Sequence, residues 1–234
     1  MTANNPKPSA GKAGADVRLY YPVIMEEIKL RVNLLTAIRT NQITELPEGA
    51  LFELAYLQLR YICEMIGCAC LCAHGDLPAT KRPDIQALYK PGQIFAKLEE
   101  LNPDFFPRAG KIIRDDKGSI LGLQPALIQP LTKEDLKTLY DKECNEVLHW
   151  GSLKKPRFAQ KRDFKRVDEW EQRIVELLNV HFIRLAVPKK HLWVRMSSIE
   201  NDGKVAAQVV LVRSQEPSVP MGELARFLGR GQKD

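Results

Sequence analysis

The sequence is poor in the features of exported and membrane-spanning proteins. Residues 1–16 are polar and contain no apolar segment, so we do not expect a secretory signal peptide. The most apolar stretch, Tyr61–Ala73, is 13 residues long and contains Glu64. A membrane-spanning helix needs about 20 apolar residues, which is more than this stretch supplies. These absences predict a cytoplasmic protein that does not associate with a membrane.

The sequence also lacks the motifs that commonly mark enzymes. It contains no GxGxxG, GxxxxGK(S/T), HExxH, GxSxG or CxxC motif. Only four histidines are present, and two of them, His181 and His191, are expected at the edge of a predicted sheet. We therefore predict no metal centre and no cofactor. Nucleoside triphosphate chemistry and a Ser–His–Asp hydrolase are not expected either.

Cysteine is scarce and its number is odd, which is unlike a disulfide framework. Without an export signal we expect five reduced thiols, namely Cys63, Cys68, Cys70, Cys72 and Cys144. Cys68 and Cys72 share a face of a predicted helix, but two thiolates alone do not make a zinc site. His74 or Cys144 could complete such a site if the fold brought it close. The interpretation we favour is that these small side chains pack in a core.

The sequence does contain a strongly basic segment within an ordinary globular composition. The chain has 234 residues, of which 44% are apolar and 27% are charged, and its formal net charge is +6. Residues 153–166 include one anion, Asp163, and seven cations: Lys154, Lys155, Arg157, Lys161, Arg162, Lys165 and Arg166. Such a segment would suit RNA or another polyanion, although it can also be a solvated linker.

Apolar residues recur at helical spacing over much of the chain and alternate near its end. This pattern predicts helices at residues 22–40, 47–74, 79–89, 92–102, 132–150 and 159–180. It also predicts a hairpin at 111–123 and strands at 181–187, 191–198 and 204–213. We expect an α+β fold, in which a mainly α-helical bundle with a small hairpin insertion precedes a C-terminal three-stranded antiparallel sheet. The expected divisions are a disordered tail (1–17), the bundle (18–155), a basic helix with a β-meander (156–214) and a C-terminal tail (215–234).

The predicted fifth helix carries a polar stripe that could support chemistry. Asn145 and His149 lie one turn apart and therefore point the same way. An imidazole exchanges protons near neutral pH, and an amide beside it can orient a phosphate or a 2′-hydroxyl. The alternative role for His149 is to cap the end of its helix.

The predicted second helix carries a polar stripe of its own, formed by Glu53, Arg60 and Glu64. This stripe is either the one face of that helix that meets water or a partner of the fifth helix. In the second case it would form a polar pocket with Asn145, His149 and His74. Buried charges must be paired, and groups of that kind often mark functional sites.

Two strings resemble those of bacterial proteins with HEPN-like helical bundles. They are Leu59-Arg60-Tyr-Ile-Cys-Glu64 through Cys72-Ala-His-Gly-Asp76, and Leu139-Tyr140 through Cys144 to Leu148-His149. The resemblance implies a compact bundle, commonly a homodimer, and in many members a metal-independent ribonuclease of toxin–antitoxin or defence systems. Their signature is an Arg, usually followed by a polar residue, and then a His further along. By this resemblance Asn145 matches the polar residue and His149 the His.

The resemblance breaks at the signature Arg. Cys144 occupies that position, five residues before His149. In the family the Arg binds the phosphate while the His handles protons. The resemblance therefore implies that Arg60, or a cation between residues 154 and 166, supplies the charge here. Otherwise the chain is a non-cleaving relative.

Three functions follow from these observations. The first is a non-enzymatic HEPN-like module that binds nucleic acid or a partner, which the missing Arg favours. The second is a metal-independent ribonuclease with His149, Asn145 and the displaced Arg60 as catalytic residues. The third is a purely structural or assembly role. A contact of about 3 Å between Arg60 or Glu64 and the polar stripe of the fifth helix would favour a shared pocket.

Overall fold

Helices dominate the chain, and an antiparallel sheet completes an α+β fold. The structure is a computed structural model that describes residues 17–114, 120–124, 128–149, 151–152, 155–156, 162–198 and 201–211. The predicted α+β class, with a mainly helical part, a small hairpin and a later antiparallel sheet, is confirmed. The tails predicted at 1–17 and 215–234 lie outside the described residues, apart from Val17.

The helical elements follow one another along the first three quarters of the chain. The α-helices are α1 (Val17–Arg39), α2 (Glu48–Ala73), α3 (Pro83–Gln86), α4 (Pro91–Leu101), α5 (Lys133–Thr138), α6 (Asn145–Leu148) and α7 (Phe164–Leu178). A 3-10 helix at Pro78–Lys81 precedes α3, and a π-helix at Leu139–Cys144 joins α5 to α6.

The strands form three antiparallel sheets. They are β1 (Arg108–Ala109), β2 (Lys111–Arg114), β3 (Ile120–Gln124), β4 (Gly151–Ser152), β5 (Lys155–Pro156), β6 (Val180–Arg184), β7 (Lys190–Arg195) and β8 (Ala206–Leu211). The main sheet has the order β1-β6-β7-β8, whereas β2 pairs with β3 and β4 with β5. The hairpin predicted at 111–123 is therefore confirmed as β2 and β3.

The first helix begins earlier than the sequence predicts. The prediction that Pro22 opens this helix is wrong, because α1 starts at Val17 and contains Pro22. Tertiary packing explains the extra turn: Tyr21 and Met25 are fully buried, and the Tyr21 hydroxyl lies 2.8 Å from His181 Nε2. A local pattern does not reveal contacts with a strand 160 residues away.

Two other helix predictions need correction. The single helix predicted at 79–89 is a 3-10 helix followed by the one-turn α3, because Pro83 starts a new helical segment. The helix predicted at 159–180 is α7, which begins only at Phe164, after Asp163 caps it by accepting a hydrogen bond from the Lys165 N–H at 3.2 Å. Residues 159–161 lie outside the described part of the chain.

The main sheet has four strands rather than the predicted three. The additional strand, β1, comprises two residues and pairs with β6, which is too short a segment for alternation to reveal. The prediction that His181 and His191 lie at a sheet edge is wrong, because β6 and β7 are the two inner strands. His181 is 1% exposed on the side of the sheet that faces the helices.

The bundle and the main sheet share one core. α2 is its central helix, with Leu59 and Ile62 fully buried, and it packs on α1, α4 and the π-helix. The sheet contributes Ile183 and Leu192 to the same cluster and contacts α1 and α7. By length and composition α2 could cross a membrane, yet 56% of its most apolar window is buried inside the protein, as in the core helix of a soluble bundle.

Candidate functional site

The polar stripe of α2 faces the helical segment formed by α5, the π-helix and α6. Arg60 is the centre of this contact: its Nη1 donates to Asn145 Oδ1 at 2.6 Å, and its Nη2 donates to the Tyr140 hydroxyl at 3.2 Å. The guanidinium carbon also lies 4.5 Å from the centroid of the Tyr140 ring, within cation–π distance. The contact that would favour a shared pocket is therefore present, between Arg60 and Asn145.

Glu64 compensates the charge of Arg60. Its Oε1 lies 3.5 Å from Arg60 Nε and accepts a hydrogen bond of 2.9 Å from the Tyr140 hydroxyl. Burial raises the pKa of Tyr140, and the hydrogen bond to Glu64 raises it further, so this hydroxyl remains a donor. We call Arg60, Glu64, Tyr140 and Asn145 the Arg60 cluster.

The π-helix fixes the orientation of Asn145. The Asn145 backbone N–H donates to the carbonyl of Lys142, and the side-chain Nδ2 donates to the carbonyl of Asp141 at 2.9 Å. With its amide nitrogen held in this way, the Asn145 side chain presents Oδ1 to Arg60. A π-turn is often found at functional positions because it redirects the side chains that follow it.

His149 lies beside the Arg60 cluster but does not belong to it. The fifth helix is predicted to run to about residue 150, yet α6 ends at Leu148 and His149 has an extended backbone with φ −88° and ψ 136°. Its backbone N–H bonds to the Asn145 carbonyl at 3.0 Å. Its imidazole is exposed and forms no hydrogen bond with another residue of the described part of the chain. It is therefore accessible to a ligand.

The interpretation that His74 joins this pocket is wrong. His74 lies just beyond the C-terminal end of α2, where its Nδ1 donates to the Cys70 carbonyl at 2.9 Å. Its Nε2 accepts a hydrogen bond of 2.8 Å from Asn102 Nδ2. α2 runs antiparallel to the fifth helical segment, so residues at this end of α2 are far from His149. Burial lowers the pKa of His74 and keeps it a neutral structural side chain.

Cys144, at the position of the signature Arg, faces the core. It is fully buried, and its Sγ lies 3.7 Å from the Tyr56 carbonyl. Burial raises its pKa to about 12, so the thiol stays protonated at neutral pH. All five cysteines are free thiols. Among the described residues, no group of three or more His, Cys, Asp or Glu side chains is placed to hold a metal ion.

The basic segment is described only in part. Lys154, Arg157 and Lys161 lie outside the described residues, and only the backbone of Lys155 is described, in β5. Arg162 lies 3.8 Å from Glu48, and Lys165 is exposed on the first turn of α7. The Lys165 side chain is therefore accessible to a ligand at the surface, whereas Arg162 has a carboxylate partner.

Arg166 has a structural role at the end of this segment. Its Nη2 bonds to Glu143 Oε1 at 2.7 Å, its Nη1 bonds to Glu169 at 2.8 Å, and its guanidinium lies 4.4 Å from the Trp170 ring centroid. Trp170 Nε1 also donates to Glu143, at 2.7 Å. These contacts tie the start of α7 to the π-helix.

A cavity of about 380 Å³ separates α6 from the start of α7. Its lining comprises Phe52, Tyr56, Glu143, Glu146, Val147, Asp163 and Arg166. Three carboxylates against one guanidinium make this cavity a poor place for a phosphate.

Sequence reasoning found Arg60, Glu64 and Asn145 but missed Tyr140. The apolar periodicity of the fifth helix assigns Tyr140 to the core, and the residue is indeed 2% exposed. The available signal was chemical, because a buried tyrosine hydroxyl normally needs a polar partner. Arg60 and Glu64 were the nearest candidates.

Comparisons of this chain with models of protein families, with curated proteins and with solved structures find no match.

Proposed function

We propose that this protein is a HEPN-like module that binds RNA, or another polyanion, without cleaving it. The observation that carries the proposal is the Arg60–Asn145 hydrogen bond of 2.6 Å. It places a guanidinium beside the residue that matches the polar position of the HEPN signature, while Cys144 removes the signature Arg. Because Arg60 also contacts Glu64 and Tyr140, its charge and donors are engaged in holding two helices together. It is not available to stabilise a phosphate in a transition state.

The binding surface in this proposal begins at His149 and continues along the basic segment. The exposed imidazole of His149 precedes that segment in the sequence, and the exposed side chain of Lys165 lies near its end. Arg166, the last cation of the segment, is held by Glu143 of the π-helix, which directly precedes α6. Lysine and arginine side chains neutralise phosphates without reading bases, so we expect affinity that depends on salt more than on sequence.

The proposal is tested by fluorescence anisotropy with a labelled single-stranded RNA. Replacing Lys165 with Glu should weaken binding. It should also make the slope of log K against log salt less steep, by the amount that corresponds to about one or two phosphate contacts. Lys81→Glu, on the 3-10 helix, changes the net charge equally at a different exposed position and is the matched control. Equal weakening by both variants, or no RNA binding by the unmodified protein, would contradict the proposal.

A ribonuclease is the second candidate, and the exposed imidazole of His149 favours it. His149 follows Asn145 by one turn, and Asn145 holds the Arg60 guanidinium. This function predicts RNA cleavage in the presence of EDTA, because it needs no metal. Replacing His149 with Ala should abolish that cleavage by removing the general acid or base. Unchanged cleavage in the His149→Ala variant would eliminate this candidate.

A further inference from the structure

The main sheet carries aromatic and basic side chains on the side opposite to His181 and Ile183. Because side chains alternate along a strand, Phe182 and Arg184 of β6 point away from the helices that bury His181 and Ile183. Residues paired with them across the sheet point the same way. We call this side the outer sheet face, and its aromatic and basic members are Arg108, Phe182, Arg184, His191, Trp193 and Arg195.

Three rings of the outer sheet face form a continuous stack. Phe182 lies between His191 and Trp193, with a centroid distance of 5.3 Å and an interplanar angle of 22° to each of them. His191 and Trp193 are half-buried and form the two ends of the stack. A flat ring placed against either end would continue it, as nucleobases do on aromatic side chains of other sheets.

Arginines surround this stack. Arg184 pairs with His191 across β6 and β7, and Arg108 pairs with Phe182 across β1 and β6. Burial lowers the pKa of His191, and the positive charges of Arg184 and Arg108 lower it further. Asp104 accepts a 2.9 Å hydrogen bond from Arg184 and compensates part of this charge. Asp104 also pairs with Arg108.

Trp193 adds a donor that lacks an acceptor. Its Nε1 is buried and has no hydrogen-bond partner within the described part of the chain. A buried N–H without a partner normally costs stability, so an acceptor is expected from outside the described residues. A carbonyl oxygen of a base or a phosphate oxygen could accept from this donor after a small shift of the ring.

We propose that the outer sheet face binds single-stranded nucleic acid by stacking unpaired bases against Trp193 and His191. The arginines beside them attract the phosphates that connect those bases. This inference rests on the proposed function, from which it takes RNA as the ligand. It adds a second contact surface, distinct from the basic segment, and a preference for unpaired over paired bases.

The test compares a labelled single-stranded RNA, the same RNA in a duplex, and an abasic strand of equal length. Trp193→Leu and His191→Leu should each weaken single-strand binding by about 5- to 100-fold, since stacking on one ring contributes that much per base. Duplex and abasic binding should be unchanged. Tyr20→Leu removes an aromatic ring, 45% exposed on α1, and serves as the matched control.

The same titrations separate this inference from the proposed function. Lys165→Glu should weaken binding to all three ligands alike, whereas the ring variants should affect the single strand alone. Ring variants that bind the single strand within twofold of the unmodified protein would overturn the stacking platform while leaving the basic segment intact. Loss of duplex binding to the same degree would also overturn it.

A measurement on the unmodified chain covers the case in which a ring variant fails to fold. Photo-crosslinking with RNA that contains 5-bromouridine, followed by mass spectrometry, locates the residues in contact with bases. We expect adducts within β6 and β7, at Trp193 or its neighbours. Adducts confined to residues 153–166, or no adducts because the chain binds no RNA, would overturn the inference.

Discussion

Arg60 carries a charge that its neighbours compensate through separate contacts. Asn145 and Tyr140 accept its hydrogen bonds, and Glu64 supplies a carboxylate at 3.5 Å. About three quarters of each charged side chain is covered, with 24% of Arg60 and 23% of Glu64 exposed. Removing one partner of such a partly buried ion pair costs the protein more stability than the intact pair contributes, because the other charge is left uncompensated. The Arg60 cluster is therefore expected to matter for stability as well as for placing Asn145.

Replacing Asn145 with Ala should lower the free energy of unfolding by about 1–3 kcal/mol, because Arg60 loses an acceptor for a charged hydrogen bond. Urea denaturation measures this change. Asn33→Ala, at an exposed position of α1, is the control and should change stability by less than about 0.5 kcal/mol. Equal effects of the two substitutions would show that the Arg60–Asn145 contact contributes nothing.

His181 makes stability depend on pH. Its Nδ1 donates to the Leu178 carbonyl at 2.8 Å, so its Nε2 must accept from Tyr21, and burial lowers its pKa from 6.5 to about 4. The unfolded chain therefore binds the proton first as pH falls. Native stability should decrease between about pH 6.5 and pH 4, by on the order of 3 kcal/mol from this group.

Urea denaturation across this pH range tests the His181 prediction. A His181→Gln variant should show a flatter dependence than the unmodified protein, with a residual slope from His74 and His191, whose pKa values burial also lowers. A His181→Gln profile as steep as that of the unmodified protein would count against the assignment.

At the scale of elements, the start of α5 is fixed by a capping box. The Thr132 side chain accepts from the Asp135 N–H at 3.1 Å, and Asp135 Oδ2 accepts from the Thr132 N–H at 3.0 Å. Arg173 of α7 pairs with the same Asp135 carboxylate. The cap therefore links the beginning of one helix to the side of another.

Removing the cap should destabilise the protein measurably. Thr132→Ala should lower the free energy of unfolding by about 1 kcal/mol, because one N–H at the start of α5 loses its acceptor. Thr132→Ser retains the hydroxyl and should restore most of that loss. Thermal or urea unfolding of the two variants makes the comparison, and equal losses would mean that the hydroxyl is not what stabilises the helix.

The long elements of this fold are predictable from the sequence, whereas the features that were not predicted depend on tertiary contacts. The apolar spacing of α2 and the start signal at Thr132 predict those helices because both signals are local. The extra turn of α1 depends on packing of Tyr21 against the sheet, and β1 has only two residues. Neither leaves a periodic signal.

The candidate site was predictable to a similar extent. Helical spacing places Arg60 and Glu64 on one stripe, which could either face water or contact the fifth helix. The structure contains the contact, as the hydrogen bonds between Arg60 and Asn145 and between Tyr140 and Glu64. The exposure of His149 could not be predicted, since it depends on where α6 ends. The outer sheet face was missed altogether, because the stack around Phe182 requires the register between β6 and β7.

At the scale of the whole molecule, the helices and the main sheet are linked by packing and by α1. Lys29 Nζ donates to the carbonyls of Met196 and Gly203, each at 3.0 Å, and Glu26 accepts from the Val205 N–H at 2.6 Å. These contacts fasten the connection between β7 and β8 to the bundle. Together with the shared core they make independent unfolding of the sheet unfavourable.

The described parts of the chain should therefore unfold in one cooperative step. Far-UV circular dichroism, which reports mainly the helices, and tryptophan fluorescence, which includes Trp193 of the sheet, should give the same midpoint. Ile183→Ala, in the sheet, should leave a cavity in the shared core and lower the free energy of unfolding by about 2–5 kcal/mol. Both midpoints should therefore fall together. Two separated transitions would contradict a common core.

The most direct test of the central claim is RNA affinity as a function of salt, with the integrity of the RNA followed in the same samples. Arg162 and Arg166 lie against carboxylates, so the proposal assigns phosphate contacts to the other five cations in the sequence of the basic segment, Lys154, Lys155, Arg157, Lys161 and Lys165. Five phosphate contacts to a single strand should cost about 100-fold in affinity between about 50 and 200 mM salt. We expect that loss, with the RNA recovered intact in EDTA. Affinity that does not change with salt, or RNA that is cut in a His149-dependent way, would contradict a binding module that does not cleave.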